Sequence, residues 1–281
     1  AVGPRNFHNL IDNFIGTNIP IICFENDSSL SEKMKKITGN QNVVFGIPDV
    51  ITSNTASDKF LKEDPLSIIT ENGECFIDDK VSHLGGECSY ISKSELDVQW
   101  KAKLYIHNTT HCIAAYLGNL IGAKYLHNSM ESEKIYKIVK GAMLEIKKML
   151  SLRFKIENDF LDYYSKKELS RFSNSKLYDP IARVAREPFR KLAKNERLIG
   201  AASLCLASGV VPINIIKGII AAFCFEKEGD SDYYIKYLIN SLTINNFLSI
   251  IIGLREHEAL FQLIVNNWDE NLNEIKNLRN E

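Results

Sequence analysis

Apolar positions in the first third of the chain come in two spacings. Phe7, Leu10, Ile11, Phe14 and Ile15 recur at helical intervals within Asn6–Ile15, and Asn18–Phe24 follows as a continuous apolar run of strand length. That order predicts a helix leading into a buried strand, half of a βαβ unit. Val43–Ile51 is a second buried-strand candidate, while Leu66–Thr70 and Cys75–Ile77 flank Asn72-Gly73, a hairpin signal. Ala1-Val2-Gly3-Pro4 reads as the end of a strand and a turn. Residues 1–95 are therefore expected to be α/β, in a sheet that opens on a strand's tail and so lacks its beginning.

From Ser94 onward the period changes to that of helices. Helical candidates cover Leu96–Ile121, Ser132–Phe154, Glu157–Phe172, Pro180–Lys194, Arg197–Ala207, Pro212–Phe225, Asp232–Ile239 and Thr243–Ile252, with a last amphipathic stretch through Arg255–Leu278. Breakers fall between them, at Gly118 and Gly122, at Asp179-Pro180, from Gly209 to Pro212, and at Gly229-Asp230. Residues 96–281 read as an all-α domain.

Composition narrows the class without naming it. The 281 residues are 45% hydrophobic and 25% charged, and 34 basic against 35 acidic side chains leave a net charge of −1. No global field marks a nucleic-acid or membrane-surface binder, and the longest apolar runs are too short and interrupted for a membrane span. The six cysteines lie far apart without metal-ligand spacing, which predicts reduced thiols in a cytoplasmic protein and no metal site.

Candidate chemistry concentrates in Lys103-Leu-Tyr-Ile-His-Asn108-Thr-Thr-His111-Cys-Ile-Ala-Ala-Tyr-Leu-Gly118. At about 100° per residue, Lys103, Asn108 and His111 fall within an arc of about 140°, so the three can face one cavity. A desolvated lysine, its pKa lowered from about 10.4 toward neutrality, suits abstraction of an alcohol proton; an asparagine amide can donate to an alkoxide or carbonyl oxygen. The same residues also suit a snorkelling lysine, a helix cap and a satisfied core histidine. Asn26 and Asp49 lie at strand ends, where α/β sheets bind ligands but where turn chemistry also places such residues. The cations of Ala182–Arg197, among them Arg186, Arg190 and Arg197, suit a phosphate ester or a solvated helix face. No glycine-rich dinucleotide turn or P-loop is present in the sequence.

The Lys103–Gly118 segment resembles the lysine-asparagine-histidine signature of the polyol-specific long-chain dehydrogenases, and most closely their mannitol-1-phosphate 5-dehydrogenase branch. Ala-Val-Gly-Pro at the start, Ile21–Asn26, Val139–Glu145, Asp179–Leu192 with its Arg-Glu-Pro-Phe-Arg-Lys-Leu, and Glu196–Gly200 are similar to that family in the same order. The resemblance covers nearly the whole chain.

The resemblance implies the C-terminal part of a Rossmann-like nucleotide-binding domain over 1–95, its start missing, and an all-α substrate domain over 96–281. It implies metal-independent hydride transfer between a sugar-phosphate alcohol and NAD. Lys103 would be the acid/base, Asn108 and Asn26 donors to the reacting oxygen, and His111 an orienting residue. Asp49, Arg186, Arg190 and Arg197 would meet substrate, and Val2, Gly3 and Asn26 the cofactor. Position 50 is Val, where the family usually has arginine. Without the glycine-rich turn, this chain alone is expected to hold its cofactor poorly. The partner is then a sugar phosphate rather than nucleic acid or membrane, with a monomer and a dimer both open. Another polyol or hexuronate dehydrogenase and a non-catalytic sugar-phosphate-binding module remain the alternatives.

Overall fold

The computed structural model describes residues 8–25, 27–53, 56, 58–226 and 234–280. Contacts divide them into two compact units. The first holds the described residues up to Ile51 together with Thr70–Lys103, and the second holds Thr52–Ile69 and Leu104 onward.

The first unit is α/β, as its apolar runs predict. Its strands are β1 (Ile21–Cys23), β2 (Val43–Asp49), β5 (Glu74–Asp78) and β6 (Ser89–Ile91), in the order β1-β2-β5-β6; β3 (Thr52–Ser53) and β4 (Ile69–Thr70) form a separate two-stranded sheet. Strands β1 and β2 are parallel and joined by the Ser29–Thr38 helix, a complete βαβ unit. That helix stops at Gly39, whose φ of 73° only glycine adopts readily. Met34 packs between Cys23 and Val43, burying the helix on the sheet.

The hairpin expected around Asn72-Gly73 does not form. β5 pairs antiparallel with β2 instead, with Gly46 opposite Ile77, and β4 pairs with β3. Burial decides this, because Val44, Ile77 and Val81 come together in one apolar cluster that a local hairpin would forgo. Gly73 serves close approach, since a side chain there would overlap Val50 and the Asp49 carbonyl.

The second unit is helical. Glu133–Phe154, Asn158–Phe172, Ile199–Ala207 and Ile213–Phe223 form as their periodicity predicts. Around them the expected Arg255–Leu278 stretch divides into Ala259–Asn266 and Trp268–Lys276, and a short Leu126–Met130 helix is added. At the centre lies Thr110–Leu120, buried on nearly every side. Gly218 lets the Ile213–Phe223 helix approach it, because a Cβ at 218 would overlap Ile113. The buried Glu145 carboxylate caps that helix, accepting from Asn214 N at 2.8 Å, Asn214 Nδ2 at 2.7 Å and Ile215 N at 3.1 Å. Among the described residues no helix is long and apolar enough to cross a membrane, and all six cysteines are free thiols.

Three helical expectations change in kind, one of them Thr243–Ile252, which is α-helical over Ile244–Asn246 and a π-helix over Phe247–Ile252. Leu96–Ile121 is helical from Lys93, capped by a reciprocal Ser92–Glu95 box, but its middle, Ala102–Thr109, is a π-helix. Pro180–Lys194 is broken into Ile181–Val184 and Pro188–Leu192 by Glu187 at φ 57°. The break has a local cause, since a residue preceding proline is disfavoured in the helical region.

Candidate active site

The π-helix organises the site. Lys103 and Asn108 both lie within this Ala102–Thr109 segment, five residues apart along the chain. The boundary between the two units falls just after Lys103. Within the first unit the half-buried Lys103 donates through Nζ to the Pro48 carbonyl. Pro48 directly precedes Asp49, which is buried at the end of β2. The structure thus brings Lys103 to the strand end that carries Asp49. Asn26, Val2 and Gly3 lie outside the described residues.

Within the second unit Asn108 is 8% exposed, and its Nδ2 has no hydrogen-bond partner among the described residues. Buried donors are seldom left so, because an unpaired one costs about 1–3 kcal/mol. The amide is therefore available to an acceptor on a bound molecule. His111 Nε2 lies 2.8 Å from Asp179 Oδ2, and Arg183 Nε donates to the other oxygen of Asp179 at 3.1 Å. Burial pushes the His111 imidazole below its ordinary pKa, against the raising effect of Asp179. Burial alone would raise the Asp179 carboxyl, but His111 and Arg183 bring it down to about 2.

The basic run separates into different tasks. Lys191 is 4% exposed and turns inward, donating to the carbonyls of Val184 and Arg186 and lying 5.5 Å above the Tyr116 ring. Burial lowers its pKa to about 7, partly opposed by Cys112 and reinforced by Arg197 and Arg190. Arg197 is also buried; its carbonyl accepts from Thr109 Oγ1 at 2.8 Å, which ties it to the π-helix, and its Nε makes only a 3.6 Å ion pair to Glu196. Arg190 is engaged by Glu187 at 3.0 Å, and Arg186 is exposed. Of the three arginines singled out in the sequence, Arg197 is the one tied to the helix of Asn108.

Residues 96–236, half of the chain, match the family model described as the mannitol dehydrogenase C-terminal domain. The chain belongs to that family. The matched span holds the π-helix, the Asp179–Arg183 pair and the basic run. Among curated relatives, the mannitol-1-phosphate 5-dehydrogenase of Clostridium acetobutylicum is 31% identical over 87% of this chain and 63% of its own length. The enzyme of the same name from Thermoanaerobacter pseudethanolicus is 38% identical over 63% of this chain and 46% of its own. The chain thus spans between about half and just under two thirds of the length of these relatives. The fold is that of a Pseudomonas fluorescens mannitol 2-dehydrogenase solved with NAD and D-mannitol, with a TM-score of 0.65 and 15% identity over 92% of this chain and 58% of that one. A D-sorbitol dehydrogenase solved in substrate-free form gives a TM-score of 0.61 and 14% identity over 98% of this chain and 63% of that one.

Several residues of this family member stand out only in three dimensions. Asp179 reads in the sequence as a breaker before Pro180, yet it is the partner of His111. His107 looks like filler within the signature, yet its Nδ1 lies 2.5 Å from the fully buried Glu168. Lys191 is one cation among many in its run. A trace of the first two was present: Asp179 and Arg183 stand four apart, as do His107 and His111, a spacing that shares a helix face.

Proposed function

We propose that this chain is the catalytic portion of an NAD-dependent oxidoreductase of the mannitol-1-phosphate 5-dehydrogenase type, interconverting mannitol 1-phosphate and fructose 6-phosphate. The observation that carries the reading is the π-helix, with Lys103 five residues ahead of a buried Asn108 whose Nδ2 has no hydrogen-bond partner among the described residues. An amine and an open amide donor suit the oxygen of a secondary alcohol, the group that such a cofactor oxidises. NAD, when bound, supplies the hydride acceptor; by family likeness Val2, Gly3 and Asn26 help to hold it.

In the oxidative direction Lys103 takes the hydroxyl proton, and Asn108, together with Asn26, donates to the oxygen as it gains carbonyl character. His111 orients the substrate through the ring nitrogen that Asp179 leaves available. Asp49 meets the sugar chain, and Arg186, Arg190 and Arg197 supply the cations for the phosphate, with Arg197 the best placed by its tie to Thr109. The test is NADH formation from mannitol 1-phosphate, followed by absorbance, with the chain joined to whatever precedes Ala1 in its gene. Lys103→Ala is expected to lower kcat by about 10²–10⁴-fold, the usual contribution of a general base. A Lys103→Ala protein as active as the parent would remove the assignment.

A further inference from the structure

Beside the His111–Asp179–Arg183 chain the second unit contains a parallel construction. His107 Nδ1 lies 2.5 Å from Glu168 Oε2, and Arg171 Nη1 donates to Glu168 Oε1 at 2.7 Å. Glu168 is fully buried, and His107 and Arg171 are nearly so. Each imidazole gives one nitrogen to a carboxylate, and each carboxylate gives its other oxygen to an arginine. The nitrogens used differ: Nδ1 in His107 and Nε2 in His111.

The rings also touch. His107 and His111 have centroids 4.8 Å apart, His111 stacks on Phe172 at 5.1 Å and 15°, and His107 meets Phe172 at 5.6 Å. Three rings therefore form a closed triangle. His107 is one wall of the slot that holds His111, and Glu168 and Arg171 keep that wall in place. Glu168 and Phe172 sit four residues apart on one helix, so the clamp and the third ring move as one body.

We propose that His107, held by Glu168 and Arg171, is a positioning residue for His111: it fixes the ring plane that keeps His111 Nε2 on Asp179 and leaves His111 Nδ1 as the nitrogen for substrate. This rests on the reading of His111 as the substrate-orienting histidine. The arrangement requires His107 to carry its proton on Nδ1 and His111 on Nε2 whenever both rings are neutral. A burial role alone makes no demand on either tautomer.

Both tautomers are read from ring-nitrogen shifts in long-range ¹H–¹⁵N spectra of the histidine-labelled chain at alkaline pH. The wild-type chain should give one fixed tautomer at each ring, Nδ1–H for His107 and Nε2–H for His111. In His107→Ala the two His111 nitrogen shifts should converge as both tautomers become populated, and calorimetric affinity for mannitol 1-phosphate should fall about tenfold or more, as expected for a displaced orienting group. His107→Phe restores the wall without the Nδ1 bond and should return the His111 shifts toward wild type. Averaged His111 shifts in the wild-type chain, or unchanged shifts in folded His107→Ala, would overturn the proposal. If His107→Ala does not fold, altered His111 shifts in His107→Phe do the same. Should mannitol 1-phosphate bind neither protein while the shifts respond as expected, the positioning role stands and the polyol-phosphate reading fails.

Discussion

The two units differ in how much charge they bury. In the α/β unit ion pairs lie at the surface: Lys35 and Lys93 meet Glu32, Lys33 meets Asp27 and Lys101 meets Asp97. Even its cavity of about 180 Å³, walled by Phe45, Asp78 and Trp100, takes in Glu32, Lys35 and Lys93, charges already paired with one another. In the helical unit Glu145, Glu168, Asp179, Arg171, Lys191 and Arg197 are all buried. Exposed pairs contribute about 0–1 kcal/mol, whereas a buried charge stripped of its partner costs about 3–5 kcal/mol. Most of these groups are held by hydrogen bonds and ion pairs, although Arg197 Nε has no hydrogen-bond partner among the described residues, and that rigidity is what orienting a substrate requires. The α/β unit buries fewer charges, Asp49 and Asp78 among them, and its half-buried Lys103 donates to the Pro48 carbonyl.

The contrast can be broken most forcefully at Asp179. Asp179→Asn leaves His111 and Arg183 without their shared carboxylate, and denaturant melts should show a loss of about 3 kcal/mol at neutral pH. In the parent protein the Asp179 pKa is depressed from 3.8 to about 2. Its stabilisation is therefore present above about pH 4 and lost as pH falls toward 2, a slope that melts of Asp179→Asn should lack.

Gly218 tests packing in the same unit. Gly218→Val drives a branched side chain into Ile113 and should cost about 1–3 kcal/mol in the same melts. Lys191 tests the cost of a buried cation. With its pKa near 7 when folded and near 10.5 otherwise, the unfolded chain binds the extra proton between those values, so stability should rise with pH across that window. The slope cannot exceed about 1.4 kcal/mol per pH unit and should vanish in Lys191→Met. At the weak end, Lys93→Ala in the α/β unit removes an exposed 3.7 Å pair with Glu32 and should change stability by less than about 0.5 kcal/mol. A loss there as large as at Asp179 would undo the distinction between the units.

Much of the fold was legible along the chain. The buried strands within Asn18–Phe24 and Val43–Ile51, the buried run after His111 and four long helices follow from periodicity and breakers, which are local properties, whereas the Ser29–Thr38 helix that joins the two strands was not read. The break in Pro180–Lys194 was missed, although the proline at 188 is a local sign of it. The hairpin at Asn72-Gly73 was misread because a turn signal is local while strand pairing is decided by shared burial, here Val44 with Ile77. The π-helix escaped because its bonding pattern answers to packing on both sides of a helix rather than to residue types.

For the site, sequence alone singled out the candidate residues, since Lys103, Asn108 and His111 occupy one short signature. Only the tertiary structure decided how they are held. The partners of His107 and His111 lie 61 and 68 residues away along the chain, at Glu168 and Asp179. No local pattern marks such a pairing, because what selects a carboxylate for a buried imidazole is the absence of water around both, and that is created only when the helices pack.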